Sequence, residues 1–170
     1  PSIYHLGFML GPRINAGGRV GKCSHGANLL LDTDPKNAFK LASELDQYNK
    51  ERQILEKDLL QKILNETKDY SKDPVLVLSG KHWHEGVIGI VAARLKDKFN
   101  KPVIIISIEE KIGKASARSI VGFDIGSIII AATQKKILIK GGGHKMAGGF
   151  SIKVENIEKL YTIEILCACQ

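Results

Sequence analysis

Residues 75–107 run VLVLSGKHWHEGVIGIVAARLKDKFNKPVIIIS and alternate between two hydrophobic patterns. Residues 75–80 form a short apolar run, rich in β-branched side chains, that stops at glycine, and residues 102–107 form a second such run. Both patterns predict buried strands. Between them, residues 87–98 carry apolar side chains at helical spacing. This stretch therefore predicts a strand, a helix and a second strand.

The downstream sequence continues the same alternation. It predicts a third strand over residues 113–119, a helix from Asp124 to Lys136 and a closing strand over residues 149–154. Strands separated by helices of about 10 to 15 residues are typical of the α/β class. We therefore expect an α/β sheet covered by helices.

A long helix is predicted upstream of the sheet. Asp34 and Pro35 provide a capping residue and a proline at the first helical position. Apolar residues then recur at spacings of three and four, and neither glycine nor proline interrupts the run before Pro74. A helix from Lys36 to Tyr70 would be about 50 Å long and would join two bodies. The alternative is a coiled-coil dimer, although the apolar stripe keeps no strict heptad.

The positive charge is concentrated in one part of the chain. The net charge is +7, and residues 75–153 carry thirteen Lys and Arg against five acids, whereas residues 35–74 carry eight of each sign. A positive field on the sheet-forming segment suits a polyanionic partner such as nucleic acid. The alternative is a basic surface whose side chains contact only solvent and bind no partner.

The composition also narrows the protein class. No stretch is long and apolar enough to span a membrane, and no signal pattern precedes the first strand. The three cysteines have no paired spacing that would suit zinc, so we expect reduced thiols in a cytoplasmic protein; they are Cys23, Cys167 and Cys169.

Residues 141–150, GGGHKMAGGF, are the strongest candidate for chemistry. They predict a glycine loop whose bare backbone N–H groups approach a phosphate closely. His144 and Lys145 would add a hydrogen bond and a positive charge. The alternative is a strand–turn–strand that happens to be rich in glycine.

Residues 81–86, KHWHEG, follow the first strand directly and are a second candidate. Side chains at the carboxyl end of a sheet strand lie where α/β proteins bind ligands. His82, Trp83, His84 and Glu85 there suit a metal, a base or a phosphate, although no third histidine or cysteine ligand is nearby. The alternative is a structural His84 that caps the following helix.

A third candidate lies on the strand over residues 113–119. Alternation puts Ser116 and Arg118 on one side of that strand, where a hydroxyl and a planar guanidinium form a compact site for an oxyanion. Arg13 and Arg19 flank a glycine-rich turn near the N-terminus; by themselves they are typical of an ordinary surface.

Together, these motifs resemble a known family. The resemblance covers about residues 7–155 and rests on motifs in a fixed order: 11–19 (GPRINAGGR), the long charged helix, 83–95 (WHEGVIGIVAARL), 102–105 (PVII), 115–120 (ASARSI) and 141–150 (GGGHKMAGGF). This order is similar to that of the RecJ family, the bacterial single-strand-specific 5′→3′ DNA exonucleases of the DHH/DHHA1 phosphoesterase superfamily.

The resemblance implies an α/β fold in which a small mixed sheet covered by helices is preceded by a long connector helix and the tail of a second α/β domain. It also implies a domain organisation. Residues 1–33 would be the tail of the catalytic DHH domain, residues 34–73 the connector helix and residues 75–155 the substrate-binding DHHA1 domain, with residues 156–170 a truncated C-terminal tail. In the family, the two domains face each other across a cleft threaded by single-stranded DNA.

The resemblance also implies roles for single residues. His144 would be the catalytic residue, in contact with the phosphate near the scissile bond. Arg13, Ser116 and Arg118 would hold the 5′-terminal phosphate. The other substrate-binding positions would be Trp83 and His84, which shape the cleft, and Gly142, Gly143 and Lys145 in the glycine run.

One departure from the family limits what this chain does alone. The family's Mn²⁺ or Mg²⁺ ions are bound by Asp and His residues of upstream motifs, and no Asp-His-His sequence occurs here. We therefore expect no metal site in this chain and no hydrolysis by it alone. The chain begins with Pro1 and lacks the family's OB domain, which suggests a piece of a longer protein, or of a split or decaying gene.

The resemblance favours an enzyme of DNA repair and recombination that acts on single-stranded DNA with a 5′ phosphate. We expect it to be a monomer in the cytoplasm, without a membrane partner. Two alternatives stay open. One is a DHH phosphoesterase acting on short oligoribonucleotides or dinucleotides. The other is a nucleic-acid-binding module that has lost its chemistry.

Overall fold

The computed structural model describes residues 1–66 and 73–160. It divides the chain into two compact units, Pro1–Asp58 and Leu59–Gln170. Across the described residues, no helix has the length and hydrophobicity that crossing a membrane requires.

The first unit is helical in its described elements. A π-helical segment, His5–Leu10, is followed by α1 (Gly11–Val20), α2 (His25–Leu31) and the start of α3 (Pro35–Asn65). The glycine-rich turn predicted around residues 11–19 was wrong, because these residues form α1. Pro12 lies in its first turn, where the missing N–H costs no hydrogen bond.

Helix α3 begins as the sequence predicts. The Asp34 carboxylate accepts a hydrogen bond from the Lys36 N–H at 3.1 Å. The helix has 31 residues, which corresponds to about 46 Å, and the predicted continuation over residues 67–70 lies outside the described residues. Its buried stripe is mostly apolar but includes Asn49 and Glu56, and Arg52 donates to both, at 3.0 and 2.7 Å.

The second unit contains the α/β part. Its elements are β1 (Leu76–Lys81), α4 (Glu85–Phe99), β2 (Val103–Glu109), β3 (Ile112–Arg118), α5 (Ile125–Gln134), β4 (Leu138–His144) and β5 (Ala147–Lys153). Every strand and helix predicted here is confirmed within two residues at each end. The prediction missed β4, whose glycines carry no apolar alternation.

The five strands form one mixed sheet in the order β1-β2-β3-β5-β4. β1 and β2 are parallel, and the other neighbours are antiparallel. The mixed sheet that the family resemblance implied is therefore confirmed. β4 lies at one edge, next to β5.

The two helices of this unit cover opposite faces of the sheet. α4 packs on β2 and β3, and α5 packs on β4 and β5. Between α5 and the sheet lies an apolar core that includes Ile106 and Ile152, both fully buried. Burying one such side chain contributes about 1.5–3 kcal/mol. On the α4 face, Ile105 is equally buried.

Candidate functional site

The glycine run forms a β-hairpin instead of a loop. β4 and β5 pair from Gly141 with Phe150 to His144 with Ala147, and a two-residue turn joins them. Among the described glycines, positive φ occurs at Gly122, outside this run. The loop prediction was therefore wrong, and the alternative, a glycine-rich strand–turn–strand, is confirmed.

The glycines of the hairpin serve different purposes on its two faces. On the α5 face, a Cβ on Gly148 would overlap Cδ1 of Ile129, so the absence of a side chain lets the helix approach the sheet. On the other face, a Cβ on Gly142 would meet no heavy atom within 4 Å. The backbone is therefore open to solvent on the face that α4 shares.

An open groove of about 520 Å³ lies on that face. Gly142 and its cross-strand partner Gly149 form part of its floor. One wall comes from the first turns of α4, and Ala115, Gly141 and Phe150 also line the groove. The sheet contributes four polar or cationic residues: Lys114, Ser116, Lys140 and Ser151. A floor without side chains, surrounded by cations and hydroxyls, suits an anion.

Ser116 and Arg118 form a polar pair on β3. Both are half-buried, and the Arg118 guanidinium donates to Ser116 Oγ at 3.2 Å and to the Ala117 carbonyl at 2.7 Å. The predicted shared orientation is confirmed by this contact. Gly89 of α4 faces the pair, since a Cβ there would lie 2.9 Å from Ser116 Oγ and 3.0 Å from Arg118 Nη2.

An ion pair lies at the α4 side of the groove. The Lys114 ammonium is 2.8 Å from the Glu85 carboxylate. The hydrogen bond that Lys114 donates to this carboxylate raises the pKa of Lys114. Glu85 therefore neutralises one of the cations of the groove.

His144 closes the hairpin and orients its own ring. Its Nδ1 accepts a hydrogen bond from the Met146 N–H at 3.3 Å, and the side chain is exposed. Because Nδ1 is the acceptor, the proton of the neutral ring lies on Nε2. The imidazole therefore has an N–H to donate to an anionic oxygen.

Lys145 lies in the hairpin turn, beside the first turn of α5. Its carbonyl accepts from the Ile125 N–H at 3.3 Å. The nearby Asp124 carboxylate caps α5 by accepting from the Ser127 N–H at 3.0 Å. That hydrogen bond, with a smaller contribution from the Lys145 charge, lowers the pKa of Asp124.

Trp83 and His84 have structural contacts. The Trp83 side chain is 8% exposed and packs over Gly80. His84 is the N-cap of α4, and its Nδ1 accepts from the Gly86 N–H at 3.1 Å. The alternative expected for His84, a structural cap, is confirmed. Within residues 1–66 and 73–160, no group of three or more His, Cys, Asp or Glu is placed to hold a metal ion.

Arg13 belongs to the N-terminal unit. It lies on α1, and its guanidinium is 2.7 Å from the Asp46 carboxylate. Hydrogen bonds from Lys50 and Arg13 lower the pKa of Asp46. Cys23, also in this unit, is an exposed free thiol, whereas the other two cysteines lie outside the described residues.

The sequence prediction missed Lys114, Lys140 and Ser151, which line the groove, and Gly89, which faces the Ser116–Arg118 pair. Two signals were available. Lys114 shares the alternation of Ser116 and Arg118, and a glycine in the middle of a helix costs about 1 kcal/mol relative to alanine, which indicates close packing at Gly89.

Comparison with known proteins identifies a domain family and similar chains. The DHHA1 domain family matches residues 72–163. The single-stranded-DNA-specific exonuclease RecJ of Bacillus subtilis is 37% identical over 158 residues, which are 91% of this chain and 20% of that protein. RecJ of Haemophilus influenzae is 38% identical over 159 residues, 89% of this chain and 28% of that protein.

The solved structures agree with the sequence relatives. RecJ of Thermus thermophilus in complex with Mg²⁺ is 30% identical and superposes with a TM-score of 0.87 over 97% of this chain and 26% of its own length. Its Mn²⁺ complex gives the same TM-score over 24% of its length. The chain thus spans less than a third of these proteins.

Proposed function

The chain belongs to the DHHA1 domain family, and on that premise we propose that it is the substrate-binding part of a metal-dependent 5′→3′ single-stranded-DNA exonuclease. The similarity to RecJ over about nine-tenths of the chain supports the proposal. So does the net charge of +7. The enzyme would act in the cytoplasm, in DNA repair and recombination, with this chain as part of a monomer.

The observation that carries the proposal is the glycine-floored groove beside the Ser116–Arg118 pair. A guanidinium offers a planar fork that matches phosphate geometry, and the Ser116 hydroxyl supplies a further donor beside it. Gly142 leaves the floor open, since no heavy atom lies within 4 Å of its Cβ position. A phosphate of the DNA strand can therefore come close to the sheet.

The hairpin turn supplies two further groups. His144 would donate from Nε2 to a phosphate oxygen near the scissile bond, because its Nδ1 is occupied by the Met146 N–H. Lys145 would add positive charge, and Gly142 and Gly143 would give the strand access to the backbone. These roles stay proposals for each residue.

The remaining predicted contacts are less direct. Trp83 and His84 would shape the site by holding the start of α4, because one is buried and the other caps that helix. Arg13 is on the N-terminal unit, and its contribution to 5′-phosphate binding is a separate prediction. An Arg13→Ala variant tests it independently of the groove.

The chemistry of hydrolysis would come from outside this chain. The RecJ structures to which it is similar are complexes with Mg²⁺ or Mn²⁺. The described residues do not fit such ions, because they contain no group of three candidate ligands. We propose that this chain alone does not hydrolyse DNA.

The test is fluorescence anisotropy with short single-stranded DNA that carries either a 5′ phosphate or a 5′ hydroxyl. Hydrogen bonds to charged groups contribute about 1.5–3 kcal/mol, so Arg118→Ala is expected to weaken binding of the phosphorylated strand about tenfold or more. Ser116→Ala should give a smaller loss. Both variants should leave the hydroxyl-ended strand nearly unaffected.

The matched control is Lys98→Ala, which removes one positive charge from the last turn of α4. Lys98 lies about 20 Å along the helix from Glu85, so this variant should keep the preference for the phosphate. If Arg118→Ala and Lys98→Ala reduce affinity equally for both strands, the groove is a generic basic surface, and the proposed function loses its support.

A further inference from the structure

The edge strand β4 contains a β-bulge that decides which way Lys140 faces. Leu138 pairs with Ile152, and Lys140 pairs with Ser151, so that Ile139 is an extra residue without a partner of its own. Leu138 belongs to the apolar core on the α5 face. Regular alternation would put Lys140, two residues later, on that same face, but the bulge turns it to the α4 face, where it lines the groove. Bulges beside binding sites re-aim side chains in this way.

Lys140 belongs to a row of three polar residues that runs across the sheet. Ser151 on β5 pairs with Lys114 on one side and with Lys140 on the other. Paired residues of neighbouring strands present their side chains on the same face, and all three line the groove. We call them the lysine row. It lies at one end of the glycine floor, because Gly149 is two residues from Ser151 on β5.

Two donors of the lysine row have no acceptor in the part of the chain that the structure describes. The Lys114 ammonium is paired with the Glu85 carboxylate at 2.8 Å. Among the described residues, the exposed Lys140 ammonium has no such carboxylate, and neither its side chain nor that of Ser151 donates a hydrogen bond. An ammonium and a hydroxyl on paired residues are donors that a phosphate accepts from.

The lysine row lies close to Ser116 in the same groove. Ser116 pairs with Gly149 and lines the groove itself, which makes Ser151 its diagonal neighbour. Diagonal neighbours of an antiparallel pair lie about 7–8 Å apart. One extended nucleotide spans such a distance between its phosphates, whereas two phosphates that share a bridging oxygen lie much closer. The two positions therefore fit two phosphates of one nucleic-acid strand and not a polyphosphate end.

We propose that Lys140 and Ser151 bind an internucleotide phosphate of the strand whose 5′ phosphate is held at Ser116. The inference rests on the proposed function and extends it, because the groove would then bind the strand at two phosphates. Lys114 would contribute less, since Glu85 already neutralises it. Phosphate contacts fix the position of a strand and read no base, so this second contact would hold the strand extended along the groove without sequence preference.

The experiment removes single charges from the DNA. Each 5′-phosphorylated single strand carries one uncharged methylphosphonate linkage, placed in turn at each of the first few internucleotide positions, and anisotropy gives its affinity for the unmodified chain and for Lys140→Ala. On the fully charged strand, this variant should weaken binding up to about fivefold, as for an exposed ion pair, and lower the salt slope by about 0.7. At one methylphosphonate position, the variant and the unmodified chain should bind equally, because the contact is already absent.

Companion variants separate this contact from the others. Ser151→Ala should show a smaller loss that disappears at the same methylphosphonate position, and Lys140→Arg, which keeps the charge, should bind as the unmodified chain does. Arg118→Ala should keep its full effect on that strand, because it acts at the 5′ phosphate. The matched control is Lys135→Ala, an exposed lysine at the end of α5, whose effect should be the same at every methylphosphonate position.

The outcomes distinguish the inference from the proposed function. If Lys140→Ala has no effect on any strand, or an equal effect on all of them, its charge makes no specific contact and the inference is overturned. The inference is also overturned if the effect disappears only when the 5′ phosphate is replaced by a hydroxyl, because Lys140 then contacts the terminal phosphate. Loss of the 5′-phosphate preference in the unmodified chain would instead refute the proposed function, whatever the methylphosphonate strands show.

Discussion

A single methyl group added at Gly89 should disable the proposed phosphate site without removing any of its ligands. In Gly89→Ala, the new Cβ would lie 2.9 Å from Ser116 Oγ and 3.0 Å from Arg118 Nη2. Both distances are at least about half an ångström shorter than an optimal contact. The guanidinium must move, and its 3.2 Å hydrogen bond to Ser116 would then stretch beyond hydrogen-bonding distance.

The fold should survive this change. The nearest atoms are the ends of two side chains instead of backbone, and alanine gains up to about 1 kcal/mol over glycine within a helix. We expect thermal stability to be unchanged or slightly higher. Binding of 5′-phosphorylated single strands should fall about tenfold, which corresponds to about 1.4 kcal/mol and is close to one charge-assisted hydrogen bond.

Anisotropy titration and thermal melting separate these two expectations. Gly18→Ala is the matched control, because it makes the same substitution in a helix and its Cβ would have a single neighbour at 4.0 Å. It should keep the phosphate preference. A Gly89→Ala chain that is folded and still prefers the 5′ phosphate as strongly as the unmodified chain would refute the reasoning.

Three further predictions concern the surroundings of the groove. Glu85→Gln removes the carboxylate that lies 2.8 Å from the Lys114 ammonium and neutralises it, so the affinity for DNA should rise. The slope of log affinity against log salt concentration should become steeper by about 0.7 for each added phosphate contact. An unchanged slope would contradict this prediction. Gly148→Ala should lower the free energy of unfolding by about 1–3 kcal/mol, because its Cβ overlaps Ile129, and a chemical denaturation midpoint equal to that of the unmodified chain would argue against the packing described. The hydrogen bond that the Asp124 carboxylate accepts from the Ser127 N–H is the main cause that lowers its pKa, so this cap stabilises the fold at pH values above the unfolded pKa of about 3.9, and the stabilisation is lost as the pH falls through the folded pKa. Between about pH 5 and pH 3, the melting temperature of Asp124→Asn should therefore fall less than that of the unmodified chain. Parallel falls in the two melting temperatures would count against the cap.

The elements that the sequence predicted well are those with a clear hydrophobic period. The strands at residues 75–80 and 102–107 are continuous apolar runs, and α4 has an apolar stripe, so each was located within two residues. β4 has neither, because its inner face needs glycine for the approach of α5. α1 was missed because Gly11, Pro12 and nearby glycines are more typical of a turn than of a helix.

The site was predictable to the extent that it depends on one strand. Alternation alone put Ser116 and Arg118 together. The groove also depends on how α4 crosses β3, which sets Gly89 against that pair and Glu85 against Lys114. Such contacts between distant segments follow from packing, and local patterns do not reveal them. The burial of Trp83 was likewise not evident from the local pattern, and its role in shaping the cleft stays a prediction.

The central claim is that the groove binds the 5′ phosphate at the end of a single strand. The most direct measurement is a competition titration of the unmodified chain with three strands of one sequence, carrying a 5′ phosphate, a 3′ phosphate or no terminal phosphate. The account predicts that the 5′-phosphorylated strand displaces the labelled ligand at about tenfold lower concentration than either of the others. Equal competition by the 5′ and 3′ phosphates, weakened only by salt, would contradict it.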